Sequence, residues 1–197
     1  MQSESKRPWL AYLGVLGLAV VSFTLTYTAK RPSAVDSASG VYGTDSLTAL
    51  HAVQAFAAFA AEPPATGDAN RQRSHTAEGF RLLGAAIYGL ATRETRPVPP
   101  SYQSVGAELL EAAYALELGD RYDAHAPIVS SALLSASSAL TAIQRDRFPQ
   151  LRSAVLDVHK TAQEFNAEDA MWTQAEVLKR FFDRASDALR GMAEVGI

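Results

Sequence analysis

The sequence predicts an all-α protein: a single N-terminal transmembrane helix followed by an up-and-down bundle of five to six helices. Three observations predict it. Residues 9–28 read WLAYLGVLGLAVVSFTLTYT without one charge. From residue 44 onward apolar side chains recur at steps of three and four, the spacing of one helix face. No stretch sustains the alternation of β-branched and polar residues that a half-buried strand requires. The resulting organisation is a tail over 1–8, a transmembrane helix over 9–29, a tether over 30–43 and a soluble helical bundle over 44–197.

The membrane segment comes first. A helix over 9–28 is about 30 Å long, the hydrocarbon thickness of a bilayer. Trp9 and Tyr12 fall near one end and Phe23 and Tyr27 near the other, where amphipathic rings favour the headgroup level. Lys6 and Arg7 precede the run and Lys30 and Arg31 follow it, able to place their charges in the interface. The lipid bilayer is therefore the first expected partner. A cleaved signal peptide is the rival reading, but its apolar core is about 7–15 residues and ends at a small-residue cleavage site. Here Tyr27-Thr28-Ala29 puts a ring where a small side chain is needed, and the small residues of SAVDSASG stand too far on. The flanking charges balance, so the short N-terminal tail decides the orientation. It stays inside, and residues 32–197 lie outside the cytoplasm, which in a bacterium is the periplasm. The expected localisation is thus the cell membrane, single-pass.

Beyond the Ser/Gly/Pro-containing tether, six apolar seams follow one another. They are Leu50, Val53, Ala57 and Ala60 with Phe56 and Phe59 beside them; Thr76, Phe80, Leu83, Ile87 and Leu90; and Tyr102, Val105, Leu109, Ala112 and Leu116. Then come Ala126, Val129, Leu133, Ala136, Leu140 and Ile143; Leu151, Val155, Val158, Ala162 and Phe165; and Met171, Ala175, Leu178, Phe182, Ala185, Leu189 and Met192. Breaks rich in Pro, Gly, Asn and Asp separate them: EPPATGDANRQRS, RPVPPS, LGDRYD, RDRFP and FNAED. Short connections make consecutive helices antiparallel, and an up-and-down bundle is the simplest arrangement. A solenoid of three helical hairpins is the alternative.

Composition excludes several functions. Residues 1–31 hold four basic residues against one acidic, leaving 14 basic and 20 acidic beyond them, a net charge of −6. Nucleic acid is not an expected partner of a body with that sign. The chain has no cysteine, which removes disulfides, thiolate nucleophiles, zinc fingers and iron–sulfur ligation. No phosphate loop, dinucleotide fingerprint or nucleophile elbow is present, so neither a cofactor nor an enzymatic role is expected.

The densest chemistry is DRYDAHAP, Asp120 to Pro127. Most of it reads as a corner: Gly119 suits a helix C-terminus, Asp120 or Asp123 can cap the next helix, and Pro127 fits that helix's first turn. In an alternating bundle the helices beginning near His75 and His125 run the same way. Those two imidazoles and Asp123 are therefore the candidate metal set, although no paired-ligand motif supports it. His51 and His159 fall on the flanks of their seams, and Arg121, Arg145 and Arg147 read as surface charges. The last helix carries a second apolar strip of Val177, Phe181, Ala188 and Val195. A helix apolar over so wide an arc is either central to its bundle or covered by a partner, and these four are the candidate partner surface. The function expected is a non-enzymatic, membrane-anchored extracytoplasmic helical protein acting as an interaction, scaffold or accessory subunit with a protein partner. A small-ligand or metal-binding, sensor-like module is the alternative.

Overall fold

A computed structural model describes residues 46–65, 68–92, 100–118 and 125–195. The expected tail, membrane helix and tether, and Asp123, lie outside the described residues. Within them the chain is all-α, with no strand: α1 Ser46–Ala60, α2 Ala69–Thr92, α3 Pro100–Leu118, α4 His125–Arg147, α5 Arg152–Glu164 and α6 Ala175–Val195. Single 3-10 turns, Pro149–Leu151 and Met171–Gln174, lead into α5 and α6.

The boundaries have local causes. Asp68 accepts a hydrogen bond from the Asn70 amide at 3.0 Å through its side chain, an N-cap that starts α2. Pro149 cannot continue α4, and Gln144 Nε2 donates to the Phe148 carbonyl at 3.1 Å where the helix stops. Between α5 and α6 the Gln174 amide grips the connection from both sides. Its Oε1 accepts from the Asn166 amide at 2.7 Å and its Nε2 donates to the Asn166 carbonyl at 2.8 Å. A buried polar side chain thus satisfies backbone groups that no helix can reach.

Each helix packs on its successor, α6 packs back on α1, and α2, α4 and α6 also touch one another. Three inner helices therefore meet at the centre, with α1, α3 and α5 in the grooves between them. Directions follow from pairs of contacts. A Cβ on Gly89 would fall 2.9 Å from the Ala49 Cα and one on Gly79 2.8 Å from the Phe59 ring, so α1 and α2 are antiparallel. Leu151 lies against Gly191 while Glu164 meets Arg180 at 2.6 Å, so the α5 side and α6 are antiparallel too. Arg147 at the end of α4 donates to the carbonyl of Leu90 at the end of α2, as two parallel inner helices allow. The packing of α6 on α1 closes the bundle, whereas a solenoid of hairpins would leave its first and last helices apart.

The seams from α2 onward are mainly interior: Phe80, Leu83, Ile87, Leu109, Leu116, Leu133, Leu140, Ile143, Leu189 and Met192 are fully buried, Leu151 and Ala175 are half-buried, and the Tyr102 side chain lies outside the described residues. An aromatic cluster joins three helices around Phe182. Its ring stands edge-on to Phe56, Phe59 and Phe80 at centroid distances of 6.1, 5.4 and 6.0 Å, a favourable quadrupole arrangement. In α1 the buried face is Ala49, Val53, Phe56, Phe59 and Ala60, with Leu50 and Ala57 only half-buried. The face is turned relative to the expected one because α1 must meet α2 and α6 at once.

The same topology corrects the expected partner surface. Phe181 and Ala188 have 0% exposure, Val177 is half-buried against the core, and only Val195, at 54%, faces outward. As an inner helix α6 touches α1, α2, α4 and α5, and these cover its wide apolar arc. Among the described residues α4 is the one helix long and apolar enough, by length and composition, to cross a bilayer. Half of that apolar window is buried inside the bundle.

Candidate functional site

His75 and His125 begin from similar positions, in the first two turns of α2 and α4, and end in different surroundings. His125 is the first residue of α4 and only 2% exposed. His75 is half-buried, its ring tilted against Phe59 at a centroid distance of 4.5 Å. Burial is the main cause that lowers the His75 pKa below the ordinary imidazole value; the Glu62 carboxylate opposes this, and Arg71 and Lys179 add to it. Around His75 lie Gln72, Thr76, Leu178, Lys179 and Phe182, a small apolar pocket under the α1–α2 connection. Among the described residues no three His, Asp or Glu side chains converge as metal ligands would. The carboxylate of the expected metal set, Asp123, lies outside the described residues.

His51 is exposed, while His159 belongs to a network. Ser137 Oγ lies 3.0 Å from the Leu134 carbonyl and 3.1 Å from His159 Nδ1, and Gln163 Nε2 lies 3.1 Å from His159 Nε2. One assignment satisfies every group: Ser137 donates to Leu134, His159 Nδ1–H donates to Ser137, and Gln163 donates to His159 Nε2. A serine next to a histidine resembles a nucleophile and its base. Here the hydroxyl proton is engaged by a carbonyl of its own helix, and Ser137 has 0% exposure. The pair fastens α5 to α4.

Beside that network runs a surface groove. Ser138, Thr141, Ala142, Gln144 and Arg145 of α4 form one wall; Arg152, Val155, Leu156 and His159 of α5 form the other, and Pro149 closes the corner. From Ser138 to Arg145 it extends roughly 10 Å along the helix axis. Its floor is apolar, and Leu156 stays 47% exposed. One turn before Ser138, on the same face of α4, Leu134 is 39% exposed. Arg145 and Arg152 are exposed at the corner, and neither makes an ion pair with another described residue.

Several other cations are committed. Arg81 pairs with Glu117 on α3 and Glu78 on its own helix, and sits 5.7 Å over the Tyr114 ring. The Arg81 hydrogen bond holds the Glu117 pKa below the usual carboxylate range. Arg180 meets Glu164 at 2.6 Å, and Lys179 meets Asp183 at 2.5 Å. The two arginines of the α4–α5 corner, like Arg71 and Arg190, are exposed and make no ion pair with another described residue. Sequence reasoning read Arg145 as an ordinary surface charge and did not single out Arg152. The available signal was RDRFPQLR itself, cations on both sides of a proline break, which marks a basic helix corner.

Comparison with known proteins finds no matching family model, no similar curated protein and no similar solved structure.

Proposed function

We propose that this chain is a membrane-anchored, extracytoplasmic helical module, non-enzymatic, that works by presenting a surface to a protein partner. The anchor is the uncharged run 9–28, and the body is the closed six-helix bundle. One observation carries the choice of surface: the α4–α5 groove keeps Leu156 open to solvent beside the hydrogen-bonding side chains of Ser138, Thr141 and His159. Apolar area flanked by polar groups is what a protein contact covers. The groove replaces the α6 strip as the partner surface, since Phe181 and Ala188 belong to the core.

The test is a photo-crosslinking amino acid at Leu156, with a control at exposed Glu108 on α3. In native membranes the Leu156 probe is expected to give one discrete protein adduct that the Glu108 probe does not. Thr141→Arg, which fills the groove, should abolish it while leaving the melting temperature unchanged. Equal labelling from both positions, or an adduct indifferent to Thr141→Arg, removes the proposal.

The small-ligand reading has one observation of its own, the pocket where His75 stacks on Phe59 beside Lys179. A ligand screen comparing the chain with His75→Phe tests it.

A further inference from the structure

We infer that the bundle has a basic end, bearing Arg145, Arg152 and Arg190, and that this end docks on anionic lipid headgroups, standing the domain upright on its own bilayer. This rests on the membrane-anchor reading above and adds an orientation and a lipid chemistry to it.

Contacts define the end. Ala49 in the first turn of α1 lies against Gly89 near the end of α2. Arg147, last in α4, donates to the Leu90 carbonyl at 3.2 Å. Leu151, just before α5, lies against Gly191 near the end of α6. The start of α1, the ends of α2, α4 and α6 and the start of α5 are therefore together. The first described helix starts at this end, at Ser46, so the tether joins the bundle here.

The charges divide along the same axis. At this end Arg145, Arg152 and Arg190 are exposed; of the nearby carboxylates among the described residues, Asp146 leans on Arg147 at 3.7 Å, leaving Glu194. At the other end gather Glu62, Asp68, Glu164, Glu168, Asp169 and Glu176. Gln72 Nε2, which donates to the Met171 carbonyl at 3.2 Å, shows that the start of α2 and the α5–α6 connection share that acidic end. Arg71 and Arg73 are there too, but Arg180 is held by Glu164 and Lys179 by Asp183. Exposed Arg71 thus stands among carboxylates, whereas Arg145, Arg152 and Arg190 make up the basic end.

Guanidinium groups suit a phosphodiester surface because their planar donors bind two oxygens at once. Each such charge near an anionic leaflet multiplies affinity about fivefold. A weak contact suffices here: residues 29–45 reach at most roughly 60 Å, so the anchor already confines the domain near the headgroups. The opposite pole would be repelled by the same surface. An acidic protein segment is the other occupant of comparable chemistry; the position of the cations at the tether end favours the bilayer.

The absence of native cysteine permits single-site labelling. Pro149→Cys sits between Arg145 and Arg152, and Glu168→Cys marks the far end, both exposed. Each full-length variant, carrying a fluorophore, is reconstituted in nanodiscs of phosphatidylcholine alone or with phosphatidylglycerol, with a headgroup-linked quencher. The expected result is several-fold stronger quenching at 149 in the anionic discs, little at 168, and loss of the difference in high salt. Arg145→Glu/Arg152→Glu should abolish it and Arg145→Lys/Arg152→Lys should keep most of it, which separates charge from misfolding. Quenching at 149 that ignores lipid charge, survives charge reversal or is exceeded at 168 overturns the inference. Shielding of 149 only when other membrane proteins are added also overturns it, in favour of an acidic protein. A chain extracted from the discs by alkali fails the anchor reading itself, and the docking with it; a chain that resists alkali but shows lipid-independent quenching loses only the docking.

Discussion

His75 shows how one side chain comes to depend on pH. Its ring lies against Phe59, and burial holds its pKa below the ordinary value near 6.5. The folded protein therefore takes up this proton less readily than the unfolded chain. Above pH 6.5 both states carry neutral imidazole and no penalty arises. As pH falls through 6.5 toward the lowered value, the unfolded state is protonated first and stability declines. Melting of the full chain at pH 7.5 and at pH 5 should show a smaller difference for His75→Gln than for the unsubstituted protein. Identical differences would mean that the ring is solvated. The Glu117 carboxylate behaves in the complementary way, since its pairing with Arg81 is present above the carboxylate range and lost as pH falls through it. Both groups are exposed enough that solvent screens the pair, and its worth is about that of other surface ion pairs, 0.2–1 kcal/mol.

At the scale of elements, the glycines of α2 decide how closely its neighbours approach. Gly89 lies under the Ala49 backbone, and Gly79 under the rings of Phe59 and Phe182. Glycine inside a helix ordinarily costs about 1 kcal/mol relative to alanine. At position 89 the added methyl would stand 2.9 Å from a Cα, an atom that moves only if α1 moves. Overpacking of this kind costs about 1–3 kcal/mol, so Gly89→Ala should destabilise despite its better helix propensity. A lowered denaturant midpoint checks this; a raised one would show α1 free to shift. The end of α2 is also tied across the bundle, by Arg147 donating to Leu90 O, a cation placed where a helix C-terminus favours one. Elements were the most legible part of the sequence. The seams from α2 to α6 appear as largely buried stripes because three-and-four spacing is local geometry. The α1 seam was harder to read, since FAAFAAE offers apolar residues on most of its circumference and only the neighbours select among them.

Across the whole molecule, closure rests on a cluster around Phe182, which is 3% exposed and meets rings from α1 and α2. Truncating a buried phenylalanine costs about 3–5 kcal/mol. Phe182→Ala should therefore weaken the entire unfolding transition, with near-UV signal and helicity lost together. Leu156→Ala, on the open groove, should stay within about 0.5 kcal/mol. Separate transitions for α1 and the remainder would show that the contact between first and last helices is not cooperative. The candidate site was far less legible than the helices. His75 and His125 were visible as residue types, but whether their rings meet other ligands depends on neighbours from distant segments. Arg145 and Arg152 were visible as charges, but not that α4 and α5 would leave a groove between them.

By itself, the sequence determined what local physics determines: five to six helical segments, their breaks, the apolar faces from α2 onward, an acidic body and an uncharged N-terminal run of bilayer length. Only the tertiary structure decided which helices are central, that the wide arc of α6 is interior, and which charges share an end. The reason is that periodicity is written within about two turns of one helix. Burial, pairing and polarity depend on how the ring of six closes, and the last helix must meet the first before any of them is settled.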